Sequence, residues 1–362
     1  MKVDSRKHVG KIIHVTESMG GGVIRVLEQL VEVQNREGLE TTITYLERQD
    51  TPPISELQKL FPGSNLNCVG KSGILGFWNL FSYLVLSNFE DEVLIHFHSS
   101  WAGFIGRISS YNPRIKKTFY SPHGYSFLRT DVGRIPKFAF KSIEGLLSKY
   151  SSTVTIAYGS AEYAIAKKIG DKQVRFAKHY SEFQNEMRQE PEVKRDSSHL
   201  RILTIGRISA AKRPDRFAYL AGKFAGQHLW IWVGEGERKR FKFEGSGITV
   251  TGWLGRLEVG QQMAKGDLFL LLSDWEGLPF SAIDALSFGL PIILWEFPGA
   301  VDLVDDGVNG FICKSLSEVE QRVLEITRDF DLRQRLGRAS QSKGEKEFSR
   351  AAFESGWRSL YE

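Results

Sequence analysis

The sequence predicts an α/β protein of two doubly wound parallel units, and three observations carry that prediction. A strand, a glycine-rich turn and an amphipathic helix follow one another at residues 11–33 and again at 200–224, which is the sequence form of a βα unit. Between them, residues 183–199 turn polar and lose periodicity, as a domain boundary does. A chain of 362 residues is long enough for two cores of roughly 150 to 200 residues each. The expected division is residues 1–185, a linker at 186–199, residues 200–345, and a final helix at 346–362 packing back on the first domain. A composition of 41% hydrophobic and 25% charged residues is that of an ordinary soluble globular protein.

Lys11–Thr16 is the first expected strand, and Glu17-Ser18-Met19-Gly20-Gly21-Gly22 follows at once. Val23, Val26, Leu27, Leu30 and Val31 then share one helical face. Glycine lets a ligand approach the backbone and a helix start favours negative charge, so the turn suits a phosphate. A turn that only permits tight packing is the other reading. The chain has no G-x-G-x-x-G and no Gly-Lys-Ser/Thr follows this turn, so it is neither the dinucleotide fingerprint nor a P-loop. Thr41–Tyr45 alternates as a strand.

Ile74–Phe89 is the longest apolar segment, and it falls short of the ~20 residues that span a bilayer. It is expected to be an amphipathic core helix, with a membrane-surface helix as the alternative. Val93–His98 is a strand, and Ala102–Ser110 a helix in which Gly103 and Gly106 allow close packing. His96 and His98 share a strand face but show no third ligand in the sequence, so no metal is expected. Lys117–Ser121 runs into Pro122-His123-Gly124-Tyr125. A histidine at the carboxyl end of a strand is well placed to reach a ligand.

Residues 125–150 interleave rings with charges, among them Phe127, Arg129, Arg134, Lys137, Phe138, Phe140, Lys141 and Lys149. Trp101–Lys178 holds 14 basic and 4 acidic residues in a chain of net charge +5. Such a surface attracts anionic lipid, diphosphate or nucleic acid. No RNP, KH or zinc-finger pattern accompanies it, so nucleic acid is not expected and an anionic membrane headgroup region is. Val154–Ala157 as a strand and Ala161–Ile169 as a helix close this half.

The second half opens with a strand at Leu200–Ile205, a turn at Gly206–Pro214 and a helix at Asp215–Phe224. Arg207 and Lys212 flank that turn, offering a planar fork and a point charge to a diphosphate. Leu229–Val233, Val250–Leu254 and Leu268–Leu272 are further strands. After the last of these comes Asp274-Trp275-Glu276-Gly277-Leu278-Pro279, with Asp284 eight positions beyond Glu276. Carboxylates there accept from sugar hydroxyls, while loop N–H groups and a positive helix end face phosphate. An ordinary helix cap is the bland alternative. Pro291–Leu294 is another strand, and a charged helical region from Leu316 to Tyr361 closes the chain. Cys68 and Cys313 are far apart and the charged N-terminal residues show no secretory signal, so a reducing cytoplasm is expected.

Taken together these residues resemble the retaining glycosyltransferases of the GT-B fold, glycosyltransferase family 4, most strongly from Arg201 to Phe311. The resemblance implies two Rossmann-like domains facing across a cleft. It implies that Gly20, Gly21, Gly22, Arg207, Lys212, Gly277 and Leu278 bind the donor diphosphate. His123 and Glu276 would act at the donor sugar, Asp284 would contact the ribose, and Gly252, Trp253 and Leu254 would line the base. Asp284 and Asp302 stand where the family carries longer acids.

The implied donor is a nucleotide sugar, with a UDP-sugar favoured, and neither cofactor nor metal is called for. The acceptor would be a saccharide, lipid-diphosphate-linked, in bacterial O-antigen or capsule assembly. Arg129, Arg134, Lys137 and Lys141 would face that acceptor and the anionic inner leaflet, making the protein peripheral on the cytoplasmic membrane. Alternatives are a sugar-nucleotide epimerase of the same fold and a non-catalytic partner subunit that binds a nucleotide sugar. A nicotinamide dehydrogenase is disfavoured, because Gly234-Glu235-Gly236-Glu237 lacks the third glycine.

Overall fold

The structure is a computed structural model and describes residues 10–89, 92–109, 112–183, 199–241, 243 and 246–361. The expected linker at 186–199 therefore lies, but for His199, outside the described residues. The chain forms two compact units. One comprises Met1–Phe127, Arg134–Ala177 and Gly356–Glu362, the other Leu128–Gly133 and Lys178–Ser355.

The first unit runs β1 (Lys11–Thr16), α1 (Gly21–Arg36), β2 (Glu40–Glu47), α2 (Ile54–Leu60), β3 (Asn65–Lys71), α3 (Ile74–Leu86), β4 (Val93–His98), α4 (Ser100–Ser109), β5 (Ile115–Ser121), α5 (Arg134–Tyr150), β6 (Val154–Ala157), α6 (Ser160–Ile169) and β7 (Val174–Phe176). Its sheet has the order β3-β2-β1-β4-β5-β6-β7, with every neighbouring pair parallel. The strand sequences explain this. β1 and β4 are buried almost end to end, as strands covered by helices on both faces must be. From β1 the chain winds outward to β3, then returns to place β4 on the other side of β1. The carboxyl edge between β1 and β4 is thus a topological switch point. A side chain at Gly103 would collide with the Tyr120 ring and one at Gly106 with the Phe97 ring, so these glycines let α4 lie flat on β4 and β5.

The second unit runs β8 (Arg201–Ile205), α7 (Pro214–Lys223), β9 (Leu229–Val233), α8 (Arg238–Phe241), β10 (Ile248–Val250), α9 (Arg256–Ala264), β11 (Leu268–Leu271), α10 (Phe280–Ser287), β12 (Ile292–Trp295), α11 (Ala300–Leu303), β13 (Gly310–Cys313), α12 (Leu316–Arg328), α13 (Phe330–Glu347) and α14 (Arg350–Trp357), the last running on into the returning segment. The sheet order β10-β9-β8-β11-β12-β13 repeats the same winding, with the switch point between β8 and β11. Two apolar layers cover it. One gathers Phe269, Leu271, Ile283, Leu286 and Phe297, the other Trp230, Trp232, Phe217, Leu270 and Val323.

Three expectations shift. The first unit gives way to the second at Ala177, not 185, because Ser181 bonds the Phe348 carbonyl and the Asp284 carboxylate while Phe183 packs on Phe288. The returning segment is 356–362, not 346–362, because Phe353 packs on Tyr180 of the second unit. The strand expected at Val250–Leu254 is β10, Ile248–Val250; Gly252 at φ +80° turns the chain out of the extended region. Among the described residues no helix is long and apolar enough to cross a membrane.

Candidate active site

The loops after β8 and β11 lie at the switch point of the second sheet and are tied together. The Asp274 N–H donates to the Ala211 carbonyl at 3.0 Å. Arg213, a non-glycine residue at φ +48°, forks onto Asp215 and reaches Asp274 at 3.1 Å. Arg216 donates to Asp274 at 2.6 Å and to the Leu272 carbonyl at 2.7 Å, with its guanidinium 3.5 Å from the Trp295 ring centre. Burial lowers the Arg216 pKa, opposed by the Asp274 charge. Asp274 thus carries two arginines and serves as the clasp of the two loops.

On this frame the Lys212 ammonium meets the Glu276 carboxylate at 2.6 Å, across 64 positions of sequence. Their side chains are 18% and 16% exposed, shielded yet reachable by a ligand. Gly206 sits at φ +146°, and a side chain there would press on the Lys212 stem at 3.0 Å. Gly277 and Leu278 continue the loop to Pro279, which precedes α10 with no side chain capping it. An uncapped helix start is an anion-facing feature. Arg207, in the loop after β8, is exposed.

Asp284 is placed differently from Glu276. It lies one turn inside α10, is 2% exposed, and accepts from the Ser181 hydroxyl at 2.9 Å. Gly252 makes an isolated bridge to Gly234, Trp253 is 66% exposed, and Leu254 packs partly against the core.

In the first unit, Gly20 precedes α1 in extended conformation and Gly21 takes φ +60°. Gly21 and Gly22 are exposed. At the neighbouring strand ends two non-glycine residues adopt left-handed backbone, Ser99 at φ +74° and His123 at φ +52°. Such conformations cost ~1–3 kcal/mol and persist where surrounding bonds hold them. Here the Ser99 N–H donates to the Ser121 carbonyl, and Glu162 accepts from the N–H groups of both Gly124 and Tyr158.

The His123 ring lies nearly parallel to those of His98 and Tyr158, with ring centres 5.3 Å and 5.4 Å away, and burial pushes its pKa down to about 3. His98 Nδ1 lies 3.0 Å from His123 Nε2, His14 Nδ1 2.9 Å from His98 Nε2, and His14 Nε2 2.8 Å from Gln34 Oε1. His96 stands beside them, bonded to the Tyr361 and Ser121 hydroxyls. His14 is the third ring that sequence reasoning misses, and it completes a His14, His96, His98 group. The available signal was a lone histidine inside an apolar strand; the β1–β4 register that pairs it with His96 needs the fold.

Among the expected membrane-facing residues, Arg134, Lys137 and Lys141 lie on α5. Arg129 does not; it belongs to the 128–133 segment and forks onto Asp131. α5 is anchored by Glu144, which accepts from Arg107 at 2.6 Å and from the Tyr120 hydroxyl at 3.1 Å. Its outer side leaves Ile135 and Phe138 at 84% and 75% exposure. α3 buries Leu80 and Leu84 but exposes Ile74, Leu75, Trp78 and Leu86, with Phe77 stacked on Trp101 of α4. The segment is therefore a core helix on one face only.

Residues 199–329 match the family model "Glycosyl transferases group 1". The chain is 26% identical over 331 residues to an uncharacterized 41.2 kDa protein in the cps region of Klebsiella pneumoniae, covering 87% of this chain and 88% of that one. It is 28% identical over 202 residues, 56% of this chain and 57% of the other, to the Escherichia coli O-antigen biosynthesis glycosyltransferase WbnH. In fold it is similar to Anabaena HepE, solved with UDP-glucose, at TM-score 0.75 and 16% identity over 97% of this chain and 99% of that one. The chain has the GT-B fold, and within its second unit residues 199–329 match the group 1 glycosyl transferase domain.

Proposed function

We propose that this protein transfers a hexosyl or N-acetylhexosaminyl unit from a UDP-sugar to a saccharide hydroxyl with retention of anomeric configuration. The observation that carries the reading is the Lys212–Glu276 pair at the β8–β11 switch point. Breaking the anomeric bond builds negative charge on the leaving diphosphate and positive charge on the sugar. Lys212, Arg207, the Gly277 and Leu278 backbone and the α10 start stabilise the former by preorganised charge, a role that needs no metal. Gly20, Gly21 and Gly22 offer a second backbone approach to phosphate. Glu276 accepts from sugar hydroxyls once Lys212 has turned to the diphosphate, and His123 makes a further sugar contact. The departing phosphate oxygen takes the proton of the acceptor hydroxyl on the same face, so no enzymic nucleophile is required. Trp253 offers its exposed ring to the base, flanked by Gly252 and Leu254. For Asp284 we propose the internal role its bond to Ser181 displays, in place of a ribose contact.

The relative encoded in a cps region, and the O-antigen glycosyltransferase, support a place in bacterial surface-polysaccharide assembly. A UDP-sugar at ~100 times its dissociation constant is expected to stabilise the full chain by ~2.7 kcal/mol, read as a rise in thermal midpoint across a panel of nucleotide sugars. A panel without any rise would defeat the reading. An isomerised sugar nucleotide formed without acceptor would move the protein to the epimerases.

We further propose that the acceptor is lipid-diphosphate-linked and met at an anionic membrane surface on the cytoplasmic side. α4 packs against both α3 and α5 in the first unit; Ile74 and Trp78 of α3, Trp101 of α4 and Ile135 and Phe138 of α5 are exposed, and α5 also carries Arg134, Lys137 and Lys141. Rings and stems enter the interface while the charges meet phosphates. Sedimentation with anionic vesicles is expected to exceed that with neutral vesicles, and to weaken in high salt. Equal sedimentation with both would remove the membrane from the account.

A further inference from the structure

We infer that Gln34, His14 and His98 form a hydrogen-bonded chain that fixes the tautomer of His123, leaving its Nδ1 as a bare acceptor at the carboxyl edge of β5. The argument follows the protons. An amide oxygen only accepts, so the 2.8 Å contact from Gln34 Oε1 places a hydrogen on His14 Nε2. A neutral imidazole carries one N–H, so His14 Nδ1 must accept, and the 2.9 Å contact makes His98 Nε2 the donor. His98 Nδ1 then accepts, and the 3.0 Å contact makes His123 Nε2 the donor. One hydrogen remains for each ring, and none for His123 Nδ1.

The chain requires His14 and His98 to be neutral, since a doubly protonated ring at either place would set two N–H groups head to head, and the bare Nδ1 of His123 requires that ring to be neutral as well. Burial supplies that condition, lowering His14 to about 4, His123 to about 3, and His98 well below the ordinary histidine value. Turning the Gln34 amide over would reverse every bond, so Gln34 sets the polarity. His14 and Gln34 are fully buried and stand on β1 and α1, with β1 two strands across the sheet from β5, after which the ring they govern lies. They are positioning residues.

A metal among His14, His96 and His98 makes the opposite demand. Lone pairs of all three rings would have to converge, whereas their six nitrogens already face Gln34, His14, His98, His123, Tyr361 and Ser121. The consequence for the reaction rests on the proposed sugar contact of His123. A bare Nδ1 accepts from a sugar hydroxyl and cannot donate to a phosphate or carbonyl, which makes the ring selective for hydroxyl donors.

The test is a long-range 1H–15N correlation spectrum of the full chain with 15N-labelled histidine, at neutral pH. The expected result is His123 with a protonated Nε2 and a bare Nδ1, and His14 and His98 in the same tautomer. A protonated His123 Nδ1 overturns the proposal, as does a Zn2+ titration that shifts His14, His96 and His98 together at one equivalent. In Gln34→Leu the His123 signals are expected to average between tautomers, and in Gln34→Glu to return to the native one. An unchanged tautomer in Gln34→Leu overturns the relay. Should that variant fail to fold, the native spectrum and Gln34→Glu decide. With a transfer assay, Gln34→Leu is expected to lower kcat several-fold at unchanged KM for the donor. A silent assay beside the expected spectrum would fault the proposed reaction and leave the relay standing.

Discussion

Lys212→Ala and Glu276→Ala are each expected to lower sugar transfer by more than roughly tenfold, and toward the ~10²–10³ that removing one preorganised donor costs, while the protein stays folded. The two effects separate because the pair is part-exposed. Ion pairs near solvent contribute only ~0–1 kcal/mol to folding, so truncation leaves stability nearly unchanged. During the reaction the same charges act on a leaving diphosphate that water no longer screens. Each single variant also leaves the other charge unopposed in the donor site. The double variant is therefore expected to be about as impaired as the worse single one, far short of the product of the two losses. Steady-state kcat/KM for the three proteins checks this, with thermal midpoints as the control. Near-normal turnover in either single variant would withdraw that residue from the mechanism.

Gly299→Ala is expected to abolish most transfer without touching a charged residue. An alanine Cβ there would sit inside the van der Waals radius of the Gly277 carbonyl oxygen. That neighbour is backbone and has no rotamer to yield, so the 276–278 loop must move and carry Glu276 away from Lys212. Misplacement of about 1 Å costs on the order of 10²-fold in rate, and the overpacking costs ~1–3 kcal/mol in stability. Gly222→Ala is the matched control: it lies in α7 with open space around its Cα, where alanine is the better helix former by ~0.5–1 kcal/mol. Its thermal midpoint is expected to hold or rise with transfer unchanged. Full transfer by Gly299→Ala would show that the loop is not held by this contact.

The strands with continuous apolar runs were legible in the sequence, and β1, β4, β6 and β9 fall on their expected residues. β3 was not, because Asn65, Asn67 and Gly70 give an edge strand no periodic signal. Nor was β7, three residues long. The loops at both carboxyl edges announced themselves through glycine and position. What the sequence withheld was pairing. That Lys212 and Glu276 meet follows from β8 and β11 being adjacent, and that His14 joins His98 follows from β1 lying beside β4. Both adjacencies arise where the winding reverses, the one place where sequence order and spatial order part.

The seven-residue return at 356–362 gives the first unit a history as well as a shape. Tyr361 donates to or accepts from His96 Nδ1 at 2.8 Å, and Arg175 grips the carbonyls of Ser359 and Leu360. On the ribosome, residues 1–177 emerge long before residue 361 does. Through that interval His96 has its Ser121 hydroxyl but lacks that of Tyr361, and Arg175 lacks its two carbonyls. The nascent first unit is thus a waiting state, and its last polar bonds close only after the whole second unit has been synthesised.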